Sequence, residues 1–316
     1  MAAIIETKDL TKHYGSVVAI QDLSLNVEEG AIYGFVGPNG AGKTTTMQIL
    51  TTLLQPTAGE AYVAGYSVTK NPREVRRAIG YMPDFFGVYD DMKVWEYLDF
   101  FAACYDIPEA ERGPLIRDLL ELVDLSHRAD AMVDSLSRGM KQRLCLARTL
   151  AHDPQVLILD EPASGLDPRA RIEIRQLLVE LANMGKTIFF STHILADVQE
   201  ICTQVGIIEA GRLVMEGDIE EMQRRLVPHR EILITLLGPA DAAKEFLFGR
   251  EGVELVEEVR GENGRSRLHV SLQGDDQAVS GLLADLVRQG IPVMHFTEET
   301  RDLESVFMRA TKGIVS

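Results

Sequence analysis

Three runs along the chain, AIYGFVG (31 to 37), QVLILD (155 to 160) and KTIFFSTH (186 to 193), carry apolar side chains continuously rather than at every second position. A strand with one wet face alternates, whereas a strand covered on both faces does not, so these runs predict the central strands of a sheet sandwiched between helices. Up to about residue 220, short β-rich runs alternate with helically spaced apolar positions. That is the order of an α/β domain with a largely parallel sheet. Each of the three runs ends in a polar or glycine-rich turn, and ligands of such sheets bind beyond the carboxyl ends of the strands. The three turns are therefore expected at one site.

A different rhythm begins after RRLVPHR (224 to 230). EILITLL predicts a strand, PADAAKEFLF a helix with Pro239 in its first turn, and GVELVEEV a second strand. GENG (261 to 264) reads as a turn, and RLHVSL places Leu268, Val270 and Leu272 on one face of a third strand. Val279, Leu282, Leu283, Leu286 and Val287 fall at helical spacing before Gly290, and IPVMHF closes the unit as a strand. The result is β-α-β-β-α-β, the ferredoxin-like split βαβ order of a small α+β domain. DLESVFMRAT (302 to 311) adds a last amphipathic segment, and the unit holds no catalytic constellation. The expected domains are residues 1–222 and 230–316.

The turn after the first apolar run carries the first chemistry. Gly37, Gly42, Lys43 and Thr44 fit G-x-x-x-x-G-K-[ST], with Pro38, Asn39, Gly40 and Ala41 between them and Thr45 following. Such a P-loop wraps phosphate oxygens with backbone N–H groups, while its Lys reaches the outer phosphates and its hydroxyl takes Mg²⁺. The helix that follows adds the positive end of its dipole. In VLILDEP (156 to 162) two adjacent carboxylates close a buried strand, which is costly unless a cation or a reaction uses them. Asp160 fits the carboxylate that orients Mg²⁺ in phosphate-loop ATPases. Glu161 is placed to polarise an attacking water as general base.

Composition narrows the partners. The formal net charge of −16 disfavours nucleic acid. No apolar run approaches the roughly 18 residues of a membrane span, and MAAIIETKDL lacks a basic stretch followed by an apolar one, so a cytoplasmic protein is expected. Cys104, Cys145 and Cys202 lie far apart, which fits a reducing compartment and three small buried hydrophobes.

LSRGMKQRLCLARTLAHDP (136 to 154), followed by LILDEPASGLD (157 to 167) and STH (191 to 193), resembles the ATP-binding subunit of ABC transporters, of the exporter-like kind. The resemblance covers nearly all of residues 1 to 220, with five motifs in the family's order and separations. It implies an ABC-type P-loop ATPase with a helical signature-motif subdomain, using ATP and Mg²⁺, that pairs as a homodimer or with another ATPase subunit. The dimer drives a separate integral-membrane permease, peripherally on the cytoplasmic face of the membrane. In that family two subunits face head to tail, and ATP lies between the P-loop of one and the LSGGQ-type segment of the other. Ser137 and Gly139 fall on that segment here, at the start of a helix with an apolar stripe of Met140, Leu144, Ala147, Leu150 and Ala151. His193 matches the switch histidine that contacts γ-phosphate, Asp167 the residue beside the opposing P-loop, and Tyr14 the aromatic that stacks on adenine. The C-terminal unit is similar to the accessory domain of many exporter ATPases.

Two positions depart from the family. IGYMPD (79 to 84) has Asp84 where Gln is usual, so an anionic group stands where an amide normally meets Mg²⁺ and water; a carboxylate still suits a hard cation. Met140 replaces the last Gln of LSGGQ. Residues 81 to 105 hold nine of the twenty aromatics. Such density fits a core, and in the family this region receives a short helix of the membrane subunit, with Phe85, Phe86 and Tyr89 the expected contacts. Two other readings stay open: a soluble ABC ATPase acting on ribosomes or nucleic acid, against which the acidic balance speaks, and a nucleotide-sensing regulatory subunit, which Asp84 leaves open.

Overall fold

The computed structural model describes residues 3–84, 87, 91–219, 222, 230–260 and 266–299. It divides into two units, with the boundary between Ile219 and Glu220. The expected contacts Phe85, Phe86 and Tyr89, the turn at 261 to 264 and the segment at 302 to 311 lie outside the described residues.

In the first unit the three apolar runs are strands β3 (Ile32–Val36), β7 (Val156–Leu159) and β8 (Thr187–Thr192), and every residue in them is buried. They form the middle of a six-stranded sheet, ordered β10-β9-β3-β8-β7-β6, with β9 (Gln204–Glu209), β6 (Ile79–Met82) and β10 (Arg212–Asp218) outside them. All neighbours pair in parallel except β10, which is antiparallel to β9. Beside it lies an antiparallel sheet, β2-β1-β4-β5, built from β1 (Ala3–Tyr14), β2 (Val17–Glu28), β4 (Ala58–Val63) and β5 (Tyr66–Ser67).

Helices α1 (Lys43–Leu50), α2 (Pro72–Ala78), α6 (Pro168–Asn183) and α7 (Leu195–Ile201) connect the strands. A separate helical layer is made by α3 (Val94–Cys104), α4 (Glu109–Leu122) and α5 (Arg138–Leu150), which pack on one another. On α5, Leu144, Ala147, Leu150 and Ala151 are buried as the spacing predicts, but Met140 at the first turn is only partly covered. The aromatic-rich stretch is not uniformly core: Tyr97 is fully buried, whereas Trp95, Phe100 and Tyr105 are exposed. The cysteines also differ from expectation, for Cys145 is buried, Cys202 half-buried and Cys104 exposed at the end of α3.

Aromatic rings lock the sheet centre. Phe189 of β8 stacks against Tyr33 at 5.3 Å and tilts against Phe35 at 5.4 Å, so β3 and β8 share a ring cluster as well as a hydrogen-bond ladder. The Tyr33 hydroxyl donates to Glu216 Oε1 at 3.0 Å, and Gly206 makes room for it, since a Cβ there would fall 2.1 Å from that hydroxyl.

The second unit has β11 (Arg230–Leu236), α8 (Asp241–Phe248), β12 (Val253–Arg260), β13 (Ser266–Leu272), α9 (Asp276–Arg288) and β14 (Val293–Glu299). Its antiparallel sheet is ordered β12-β13-β11-β14, which gives the split βαβ connectivity. Leu268, Val270 and Leu272 share the buried face, and Leu282 and Leu286 seat α9 on it. Two details differ from the sequence reading. Pro239 precedes α8, whose N-cap is Ala240, and Val287 is exposed because the stripe of α9 is narrower than its spacing implied.

Because Phe189 is wholly buried between two rings, Phe189→Ala is expected to lower unfolding stability by about 3–5 kcal/mol, measured by urea denaturation of the first unit's transition.

Candidate functional site

The P-loop lies between β3 and α1, at the carboxyl end of the parallel strands. Gly40 and Gly42 sit at φ 82° and 107°, which a β-carbon disfavours, and a Cβ on Gly42 would meet the Ala19 carbonyl at 2.6 Å. The loop is anchored from outside: Gly37 N–H donates to the Thr192 carbonyl at 3.4 Å, and Gly211 N–H donates to the Ala41 carbonyl at 3.0 Å. Gly42 caps α1 with no side chain on the first N–H groups and no acidic residue in the first turn. These N–H groups and the helix dipole therefore favour an anion.

Lys43 is almost fully buried. Its Nζ donates to the Gly37 carbonyl at 2.7 Å and pairs with Glu161 Oε1 at 3.3 Å. Glu161 stands at φ 50°, a left-handed conformation that costs energy in a residue with a Cβ and is typical of functional turns. Its other carboxylate oxygen lies 2.9 Å from His193 Nδ1. Lys43, Glu161 and His193 thus form one chain of contacts across the ends of β3, β7 and β8.

Asp160, one residue earlier, is 1% exposed. Ser191 links the two acidic residues: its hydroxyl donates to Asp160 Oδ1 at 2.6 Å and accepts from the Glu161 backbone N–H at 2.9 Å. Burial pushes the Asp160 carboxyl above its ordinary range, against the opposing influence of Ser191 and the neighbouring Thr44 hydroxyl, and the nearby Asp84 and Glu161 add to the push. Asp160 Oδ2 is buried with no hydrogen-bond partner, so the site is built for an added positive charge. Among the described residues no three carboxylate, histidine or cysteine groups converge as a self-contained metal centre. A hard cation held by one or two carboxylates and a hydroxyl takes its other ligands from phosphate and water, which suits this donor set.

Pro38, Asn39, Gly40, Ala41, Gly42, Lys43, Thr44, Thr45, Asp84 and Glu161 line one open cleft of about 290 Å³. Ser137, Gly139 and Asp167 are not in it. They line a second concavity of about 330 Å³, at the starts of α5 and α6. Ser137 caps α5 by accepting from Met140 N–H at 3.3 Å, and Asp167 caps α6 by accepting from Arg169 and Ala170 N–H, both at 3.0 Å. Tyr14 lies in neither; it is half exposed beside Lys12, whose Nζ is 5.2 Å from the ring centroid. Three groups were missed by sequence reasoning. Ser191 was visible in STH, Arg138 donates to the Ser164 carbonyl at 3.1 Å, and buried Gln142 ties α5 to the Pro162 carbonyl at 2.6 Å. A basic residue and an amide on a helix give no sequence signal of which distant carbonyl they reach.

Residues 20–164 match the family described as ABC transporter. The bacitracin transport ATP-binding protein of Bacillus licheniformis is 36% identical over 314 residues, 99% of each chain. The chain belongs to the ABC transporter family of ATP-binding proteins. A Nod factor export ATP-binding protein of Cupriavidus metallidurans is 35% identical over 85% of this ABC protein and 94% of its own length. Among solved structures, an ATP-binding cassette captured as a dimer in a post-hydrolysis state with ADP and Pi superposes at a TM-score of 0.62, with 26% identity over 68% of this chain and 98% of that one. This ABC subunit is therefore an ATP-binding ATPase of a transport system. No helix among the described residues is long and apolar enough to cross a membrane.

Gly42→Ala is expected to weaken ATP binding at least about fivefold, because the left-handed loop conformation costs about 1–3 kcal/mol with a β-carbon. Titration with a fluorescent ATP analogue, with circular dichroism as the control for folding, reads the loss.

Proposed function

We propose that two copies of this chain, or this chain and a paired ATPase subunit, close head to tail on ATP and that the cycle drives export through a separate integral-membrane permease on the cytoplasmic side. The observation that carries this reading is the separation of two half-sites on one unit. The cleft of the P-loop, Asp84 and Glu161 and the concavity of Ser137, Gly139 and Asp167 are distinct. One chain thus offers the phosphate-binding half and the capping half without joining them. A second copy turned head to tail brings the N-terminus of α5, with its dipole, toward the phosphates of the first. Nod factor export in a relative supports export as the direction.

Within each site, Lys43 and the P-loop N–H groups hold the phosphates, and Tyr14 stacks on the adenine. Thr44, Asp160 and Asp84 hold Mg²⁺, whose fit rests on the unpartnered Asp160 Oδ2 beside the Thr44 hydroxyl. Bound there, the cation neutralises charge on the phosphates. Glu161 takes the proton of the attacking water as general base, and His193, in contact with Glu161, orients that water and the γ-phosphate. Residues 1–222 form the ATPase domain and residues 230–316 an accessory domain. The acidic chain is expected to have no nucleic-acid partner.

Glu161→Gln is expected to keep ATP affinity within about twofold while lowering turnover at least about 100-fold, and to accumulate as an ATP-dependent dimer by light scattering. A monomer at saturating MgATP, alone and with its permease, contradicts the reading. Asp84→Gln is expected to shift the Mg²⁺ concentration for half-maximal ATPase by at least about threefold, as a neutral amide replaces a carboxylate near the cation. An unchanged Mg²⁺ dependence removes Asp84 from the metal site.

A further inference from the structure

Asp197 is a carboxylate with a side chain only 3% exposed, in the first turn of α7 and four residues beyond His193. Its partner comes from another element. Arg175 of α6, itself 11% exposed, places Nη1 3.1 Å from Asp197 Oδ1 and 3.0 Å from Glu200 Oε1. Among the described residues, the ion pairs between α6 and α7 all run through this guanidinium. Arg171, one turn earlier on α6, adds a second positive charge toward Asp197. Burial pushes the Asp197 carboxyl up and the two arginines pull it back.

The two helices leave the two half-sites already described. α6 begins at its cap Asp167, in the concavity with Ser137, and α7 begins two residues after His193. Arg175 and Asp197 also line a small cavity with Pro162, next to Glu161, and Thr192, next to His193. His193 itself is held lightly: its side chain is 47% exposed, and its hydrogen bond runs to Glu161. The placement of its ring depends on where β8 ends and α7 starts.

We propose that Arg175, acting through Asp197, is a positioning residue for ATP hydrolysis: it fixes the start of α7 against α6 and thereby where His193 stands beside Glu161. Loss of one partner of a buried ion pair leaves an uncompensated charge, which is strongly destabilising. Nε of both Arg171 and Arg175 is buried without an acceptor, so Arg175 holds Asp197 and Glu200 at the expense of its own full satisfaction. That is unfavourable for stability alone, and a helix-to-helix tie beside the water-orienting histidine explains it.

The inference rests on His193 orienting the attacking water, and the test separates the two. In the full chain, Arg175→Met is expected to lower kcat about tenfold with KM for ATP and the affinity for a fluorescent ATP analogue within about twofold, and Arg175→Lys to retain at least about half of wild-type kcat. The double variant Arg175→Met/Asp197→Leu removes both charges and is expected to recover the melting temperature while kcat stays low. Recovery of kcat together with melting temperature in the double variant, or a parallel loss of kcat and ATP affinity in Arg175→Met, overturns the proposal. His193→Ala serves as the reference: wild-type turnover there defeats the reading of the site, whereas a collapse there with normal Arg175 variants defeats the positioning role alone.

Discussion

A carboxylate that cannot reach water governs this molecule. Asp160 closes a strand buried along its whole length, accepts a hydrogen bond on one oxygen and leaves the other without a partner. Such a group is tolerable only where positive charge is near or arrives with a ligand. The surrounding structure supplies that setting: a lysine drawn inward to the loop carbonyl, a helix start with free N–H groups, and a serine that ties the Asp160 carboxylate to the Glu161 backbone. Glu161 is turned into a strained backbone conformation by the same arrangement, which lets it meet Lys43 on one oxygen and His193 on the other. The parallel sheet is the reason these groups meet, since β3, β7 and β8 run side by side and end on the same edge.

The division into two half-sites follows from the same topology. α5 and α6 start in a concavity distinct from the P-loop cleft, and each start is capped by its own side chain, Ser137 or Asp167. A helix start capped in this way still presents unpaired N–H groups and a positive dipole, but here they face a concavity that holds no phosphate loop. The chemistry of one chain is thereby left in two places, and in the proposed reading a second chain joins them. The small α+β unit, with its own sheet and core, contributes none of these groups.

Much of this was legible in the sequence because its signals are local. The continuous apolar runs marked the central strands, the glycine spacing marked the loop, and the acidic pair marked the strand end. The resemblance to ABC ATPases supplied the roles of Ser137, His193 and Asp167, which spacing alone does not give. What escaped is set by long-range contacts. Nothing near Arg175 in the chain announces Asp197, 22 residues away, and nothing near Gln142 announces the Pro162 carbonyl. The exposure of Trp95, Phe100 and Tyr105 escaped for a related reason: aromatic density reports hydrophobicity, while burial depends on how α3 meets α4 and α5. Pro239 precedes its helix by two residues, because its fixed φ suits the approach to a helix as well as the first turn.

The central claim is that the concavity around Ser137 in one copy closes over the P-loop of another. Introducing cysteines at Asn39 and Ser137 in a Glu161→Gln background and oxidising with and without MgATP tests it directly. The account predicts an intermolecular disulfide that forms only with nucleotide and only when both cysteines are present. A cross-link indifferent to ATP, or none at saturating ATP, contradicts it.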